Sequence, residues 1–419
     1  MKQGSGNAQY HWPHLRLREC CLKIGSGITP KGGHEVYLDT GIPIIRSQNV
    51  LDGSFTADGM AYITAVQHES MRATALAEGD VLFNITGASI GRCCLYPTHI
   101  GAANINQHVC IIRLKKDYSP RFYVAVLNSQ IAKRQLHENQ AGGGREGLNF
   151  KNLGDFMVPV PPLPEQTAIA EVLECWDKAI RLYERKLEIK RQIKKGLIRK
   201  LLSGVWRLPG FSGEWERREL RSLITGKPDY GINAPAVTYS SSLPTYLRIT
   251  DISEDGRYIR ASSVSVDDPN SANFLLSPGD VVFARTGAST GKVYMYDDSD
   301  GPLVFAGFLI RVRPDSTKLL PQFLKYFTQT SHYWRWIRVM SARSGQPGVN
   351  GEEYSILPLK LPTLDEQQSI CTILSSSDAE LQALEAKLTL LRDQKKFLLG
   401  KLVTGAIRLP QFRMGNEEL

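Results

Sequence analysis

Residues 161–204 read PPLPEQTAIAEVLECWDKAIRLYERKLEIKRQIKKGLIRKLLSG, and residues 362–405 read PTLDEQQSICTILSSSDAELQALEAKLTLLRDQKKFLLGKLVTG. The second stretch restates the first 201 positions later: Pro161 maps on Pro362, Glu165-Gln166 on Glu366-Gln367, Leu173 on Leu374 and Lys194-Lys195 on Lys395-Lys396. Beyond it, Arg207-Leu208-Pro209 maps on Arg408-Leu409-Pro410. A register held this long without a gap marks a duplicated unit. Each copy reads as one long helix, because Leu173, Ile180, Leu187 and Leu201 fall on a seven-residue spacing and Leu374, Leu381, Leu388 and Leu402 repeat it. That spacing draws an apolar seam along one side, as in a coiled coil. Lys194 and Lys395 interrupt the seam at the same place, where an ionisable group fixes register at some cost in stability. Proline closes the segment before each helix and Leu-Ser-Gly or Val-Thr-Gly ends it. About 38 residues at 1.5 Å give a rod of roughly 57 Å.

Working outward, each helix is preceded by a stretch of different character. From about Trp12 to Val160, short apolar runs at Ile42–Ile45, Val81–Phe83, Cys93–Tyr96 and Val109–Ile112 predict strands, and Phe122–Leu136 a helix. The order returns at Tyr246–Leu247, Val281–Phe283, Val293–Tyr296 and Phe308–Ile310, with a helix over Phe323–Val339. The expected fold is α+β: two globular domains joined and separated by two long antiparallel coiled-coil helices, duplicated about a pseudo-twofold. The expected boundaries are 1–160 and 213–361 for the globular domains, 161–212 for the first helix and linker, and 362–419 for the second helix and tail. In these domains Gly79-Asp80-Val81-Leu82-Phe83 answers Gly279-Asp280-Val281-Val282-Phe283, and Thr86-Gly87-Ala88-Ser89-Ile90-Gly91-Arg92 answers Thr286-Gly287-Ala288-Ser289-Thr290-Gly291-Lys292. Framework motifs are shared and the loops between them differ.

Composition bounds the function. The 419 residues suffice for two cores, and 42% hydrophobic with 22% charged residues is ordinary for a soluble protein. No apolar run approaches the ~20 residues of a membrane span, and the N-terminus has no secretory apolar core. Seven cysteines without a Cys-x-x-Cys favour free thiols in a reducing cytoplasm. The net charge of +9 permits nucleic-acid binding without establishing it. The basic run Arg185–Lys200 faces either solvent or an anionic partner.

Enzyme signatures are missing. The Thr286–Lys292 loop lacks the first glycine and the final hydroxyl of a nucleotide-binding P-loop, no methyltransferase motif occurs, and the histidines are scattered. The expected catalytic and metal residues are therefore none. What remains is a binding inventory. Thr86, Gly87, Ser89 and Arg92, with Thr286, Gly287, Ser289 and Lys292, suit a phosphodiester backbone, where glycine admits close approach and hydroxyls donate. The same glycines also suit a tight hairpin. Arg46, Gln48, Asn49, Gln107 and Arg145 in the first half, and Arg248, Asp251, Arg285, Arg343, Gln346 and Asn350 in the second, belong to polar loops of the kind that meets base edges.

The layout resembles the DNA specificity subunit of type I restriction–modification enzymes, over nearly the whole chain. The resemblance rests on Pro162-Leu163-Pro164-Glu165-Gln166, Leu201-Leu202-Ser203-Gly204, the Gly-Asp-Val strand with its Thr-Gly-Ala-Ser loop, and Gly345-Gln346-Pro347 before Val349-Asn350. Arg145-Glu146 stands where the second half has Gln346-Pro347, and Leu364-Asp365-Glu366-Gln367 where the first has Leu-Pro-Glu-Gln. The resemblance implies two target recognition domains that read the two parts of a split, asymmetric site in double-stranded DNA. It also implies spacer helices that set the gap and carry two modification subunits. Those subunits would bring S-adenosylmethionine and adenine methylation, and restriction subunits would add ATP- and Mg-dependent translocation and cleavage; this chain itself would hold no cofactor. Two other readings are a coiled-coil scaffold whose globular halves bind protein without DNA sequence preference, and a self-contained enzyme acting on nucleic acid.

Overall fold

A computed structural model of the chain describes residues 12–30, 36–141, 147–342 and 347–413. The chain divides into two compact units, one of residues 1–183 with 387–419 and one of residues 184–386. Each long helix, Leu163–Leu201 and Leu364–Leu402, is shared: it begins in one unit and ends in the other. The units thus cut across the four segments expected from sequence.

The first unit is built on a four-stranded antiparallel sheet in the order Cys21–Ser26, Val109–Leu114, Val81–Asn84, Cys93–Leu95. Its central strand Val81–Asn84 is buried on both faces, which explains an unbroken apolar run where a one-sided strand would alternate. Val81 and Phe83 point to a core shared with the helix Pro120–Asn128 and the start of the first long helix, including Phe122, Tyr123, Ile169 and Leu173. Leu82 points the other way, into a second core with Ile45, Ile105 and Ile111. A small sheet, Ala61–Ile63, Ile42–Ile45, Asn104–Ile105, covers that side. The second unit repeats the plan. Its sheet runs Asp229–Tyr230, Leu309–Val312, Val281–Ala284, Val293–Met295, and a second runs Ala236–Thr238, Val264–Val266, Thr245–Leu247, Leu303–Phe305. Val281 and Phe283 face the core that contains Phe323, Ile370 and Leu374, while Val282 faces Leu247 and Tyr294.

Two helices expected as single pieces are each broken. Phe122–Leu136 falls into Pro120–Asn128 and Gln130–Ala141, and Phe323–Val339 into Pro321–Phe327 and Ser331–Met340. The breaks are local hydroxyl bonds: Ser129 Oγ accepts from the Ile131 amide, and Thr330 caps the following helix by accepting from Tyr333.

Within each unit the beginning of one long helix runs against the end of the other, so the pair is antiparallel. In the first, Lys395 Nζ lies 2.5 Å from Asp177 Oδ1; in the second, Lys194 pairs with Asp378. These are equivalent places in the repeat, and they show why lysine is tolerated in the seam: each finds its carboxylate on the opposite helix. The Glu-Gln pair works likewise. Glu165, wholly buried, accepts from Arg408 Nε and Nη2 at 2.8 Å each, and buried Glu366 accepts from Arg207 at 2.7 and 2.5 Å. Gln166 accepts from the Ser119 amide at 2.8 Å and Gln367 from the Leu320 amide at 3.0 Å, each at the N-terminus of a domain helix. The motif therefore bolts a long helix to its domain on one side and to the Arg-Leu-Pro segment of the other copy on the other. Residues 204–213, expected as a linker, are accordingly docked, with Leu208 against the second unit's core.

Three residues beyond each long helix stands a glycine with positive φ, Gly204 at 70° and Gly405 at 69°. A Cβ there would lie 3.2 Å from the Trp215 ring and 3.4 Å from Trp12 respectively, so glycine serves both the left-handed backbone and the close contact. Trp12 thereby joins the opening of the first domain to the chain segment that follows residue 402.

Candidate nucleic-acid interface

Three loops meet at one end of each domain. The first closes the central hairpin: Asn84 N–H donates to the Arg92 carbonyl at 2.9 Å and Gly91 N–H returns a bond to Asn84 at 2.8 Å, with 2.8 and 3.0 Å for the equivalent bonds between Ala284 and Lys292 and between Gly291 and Ala284. Between them a single 3-10 turn spans Gly87–Ser89 or Gly287–Ser289. Gly87 and Gly91 have φ of 71° and 88°, and Gly287 and Gly291 of 69° and 91°, so hairpin geometry accounts for these glycines. The second loop is the other glycine motif. Leu148 N–H donates to Ile85 O at 2.8 Å and Val349 N–H to Arg285 O at 2.9 Å, with bridges Thr86–Gly147 and Thr286–Gly348. Motifs some 60 residues apart in sequence are thus laid side by side in both halves. The third is a tight turn, in which Ile85 N–H donates to His108 O at 3.0 Å and Arg285 N–H to Phe308 O at 3.1 Å.

Several expected contact residues lie here and present themselves. Gly87, Arg92 and Gln107 are exposed; Thr86, Ser89, Arg285, Thr286, Gly287 and Ser289 are half-buried. Arg92 has no side-chain partner among the described residues, whereas Lys292 Nζ lies 2.7 Å from Glu254. Thr86 Oγ1 is 2.7 Å from His108 Nδ1, and the Arg285 guanidinium sits 4.9 Å above the Tyr230 ring, whose hydroxyl accepts from Gly351 N–H. His108 and Tyr230 were missed in sequence. Aligning the turns 106–109 and 306–309 reveals the first, and only the fold brings Tyr230 under Arg285.

Four expected contact residues turn out to be engaged by the protein itself. Asn49 and Asp251 are fully buried, each the third residue of a one-turn 3-10 helix. Their side-chain oxygens accept from the backbone N–H of Arg46 at 3.1 Å and Arg248 at 2.9 Å. Asn49 also donates to Thr56 and Asp58. Arg248 closes a fork on Asp251 through Nε at 2.9 Å and Nη2 at 2.8 Å, which raises the guanidinium pKa, and donates to Ser262 O as well. Asn350 caps the helix Gly351–Ser355 by accepting from Glu353 N–H at 2.9 Å. Arg46–Asn49 and Arg248–Asp251 thus share one arrangement, a capped one-turn helix. Arg46 donates to Gly59 O at 2.5 Å and lies over Tyr37, and exposed Gln48 donates to the same carbonyl at 3.1 Å. Arg145, Arg343 and Gln346 lie outside the described residues.

Asp80 and Asp280 explain the Gly-Asp motif without DNA: each accepts from the backbone three residues back, Ala77 or Ser277, and meets an arginine of the adjacent strand, Arg113 or Arg311. Burial raises the Asp280 carboxyl above its ordinary value against the opposing pull of those bonds. Among the described residues no cluster of His, Cys, Asp and Glu could hold a metal ion, and no helix is long and apolar enough to cross a membrane.

Comparison with known proteins agrees with this architecture. The pattern of the type I restriction modification DNA specificity domain matches twice, at residues 11–191 and 218–391. The putative type I restriction enzyme MjaX specificity subunit of Methanocaldococcus jannaschii is 22% identical over 419 residues, covering 96% of this chain and 95% of its own. The StySPI specificity subunit of Salmonella potsdam is 21% identical over 415 residues, covering 91% and 85%. Among solved structures, the type I S subunit of M. genitalium superposes with a TM-score of 0.59 at 15% identity over 96% of this chain and 98% of its own. A chain from a type I restriction–modification assembly gives 0.60 at 18% identity, covering 95% and 98%. With its family pattern matched in both halves, the chain belongs to the type I restriction modification DNA specificity family.

Proposed function

We propose that this chain is the non-catalytic reader of a type I restriction–modification assembly. Each domain presents its three-loop cluster to double-stranded DNA, and together they read the two parts of a split, asymmetric site. The observation that carries this is one backbone frame built twice with unlike residues at equivalent places: Ile85, Gln107 and His108 in one unit, Arg285, Gly307 and Phe308 in the other. Thr86, Gly87, Ser89 and Arg92, with Thr286, Gly287, Ser289 and Lys292, lie at the phosphate backbone and supply salt-dependent affinity. Gln48, Gln107 and Arg285 are the readers of base edges. Two modification subunits, one for each copy of the repeat, bring S-adenosylmethionine and transfer methyl groups to adenine. Restriction subunits, where they join, use ATP and Mg. The assembly works in the cytoplasm, in keeping with seven free thiols.

The test is to map methylated adenines in DNA from cells carrying this chain with its modification subunit. A two-part asymmetric motif with a fixed gap is expected, and purified chain alone with S-adenosylmethionine should transfer nothing. Methylation by the isolated chain would overturn the reading in favour of a self-contained enzyme. Binding without sequence preference and insensitive to salt would favour a protein scaffold.

A further inference from the structure

The tight turn in each cluster is the same turn carrying opposite chemistry. In the first unit Val109 N–H donates to Asn106 O at 3.2 Å, and in the second Leu309 N–H donates to Ala306 O at 2.8 Å. Gln107-His108 and Gly307-Phe308 are therefore the central pairs of equivalent β-turns. Phe308 leaves 56% of its surface exposed although it is a phenyl ring beside a fully buried strand. Folding gains little from a ring in that position, since leaving it in water forfeits the burial that normally holds aromatics inside. Its backbone carbonyl accepts from the Arg285 backbone N–H, and the Arg285 guanidinium carbon lies 4.9 Å from the Tyr230 ring centroid. A guanidinium over an aromatic ring, on a residue bonded through its backbone to the turn that carries an exposed apolar ring, is a preorganised surface for a base pair and its neighbour.

The first unit has no such surface. Ile85, buried, replaces Arg285, and His108 replaces Phe308. His108 is spanned on both sides, by Thr86 Oγ1 at 2.7 Å from Nδ1 and by Gln107 Nε2 at a longer 3.4 Å from Nε2. An amide nitrogen only donates, so Nε2 accepts from Gln107 and Nδ1–H donates to Thr86. One N–H and the carbonyl oxygen of Gln107 stay free, the pair that matches adenine N7 and N6.

We propose that the second central residue of these turns decides what each unit accepts. Phe308 packs its ring on a thymine methyl beside a guanine held by Arg285, and His108 is a positioning residue that steers the Gln107 amide onto an adenine. This rests on the reading that the clusters meet DNA. It adds which residues discriminate and for what.

The experiment is selection of duplexes from a randomised pool by the assembled complex of this chain and its modification subunit. The wild-type complex defines the motif. Phe308→Ala should relax a single thymine position in one half-site by about 5- to 150-fold, leaving the other half-site and the affinity for non-specific DNA unchanged. Phe308→Leu, which keeps an apolar tip, should retain the thymine. Replacing that thymine by uracil, which removes only the methyl, should weaken the wild-type complex and leave Phe308→Ala unaffected. His108→Ala should relax one adenine in the opposite half-site by a similar factor. The inference fails if Phe308→Ala leaves every position intact or lowers all sequences alike, or if uracil makes no difference to the wild type. A wild-type complex that selects no motif at all would instead remove the DNA reading beneath it.

Discussion

Replacing Glu165 by glutamine tests the joint between the long helix and the returning Arg-Leu-Pro segment. The carboxylate is fully buried and both its oxygens receive a guanidinium N–H of Arg408 at 2.8 Å. Glutamine keeps the shape but offers one acceptor and no charge, so it leaves a guanidinium facing an amide N–H. Breaking a buried pair from one side costs about 3–5 kcal/mol. The Arg408 side chain keeps 20% of its surface in water, which places this case at the lower end, about 3 kcal/mol. For a unit of roughly 200 residues that lowers the melting temperature by about 6–12 °C. Calorimetry reads the shift, and amide exchange should quicken over residues 403–409, which the pair anchors. The double variant Glu165→Gln/Arg408→Met removes both ends, and its destabilisation should fall short of the summed singles by about 1–3 kcal/mol. A shift under about 2 °C, or an additive cycle, would refute the reasoning.

Other outcomes follow from the same structure. Arg92→Ala should weaken binding to every DNA sequence alike and flatten the dependence of log K on log salt by about 0.9, measured by titration across salt concentrations. Arg248→Ala, because its fork closes on Asp251 inside the domain, should lower thermal stability and leave the methylated motif unchanged. Both long helices pass unbroken from one unit to the other, so seven residues inserted into each should lengthen the gap in the methylated motif by about three base pairs, at 1.5 Å per residue and 3.4 Å per base pair. Burial pushes the thiols of Cys21, Cys94, Cys110 and Cys371 up to about 12. A thiol reagent at pH 8 should therefore modify exposed Cys175 promptly, half-buried Cys21 slowly and the five buried thiols only after unfolding, as mass spectrometry would show.

The helices were legible because duplication displays them twice: a seven-residue apolar spacing held in register 201 positions apart has few other meanings. The central strands were legible for a related reason, their unbroken apolar runs. What the sequence hid was contact between distant segments. Nothing near Glu165 announces Arg408, and nothing near Arg285 announces Tyr230. Polar loops misled in a regular way. Asn49, Asp251 and Asn350 belong to the residue types that read bases, but those same types cap short helices, and periodicity cannot separate the two uses. Arg248 was misplaced for the same reason, since its partner three residues on is one turn away in space. Phe308 was taken into a strand because it is aromatic; the turn that excludes it is defined by a backbone bond from Leu309 to Ala306.

The packing of Trp12 against Gly405 bears on how the protein is made. A ribosome that has added residue 386 has delivered every residue of the second unit, whereas the first still lacks Leu402 and Val403, which fill its core. Until those two emerge, the domain translated earliest keeps an open apolar face in a crowded cell, the state in which nascent chains aggregate or recruit chaperones. The portion synthesised first is completed last.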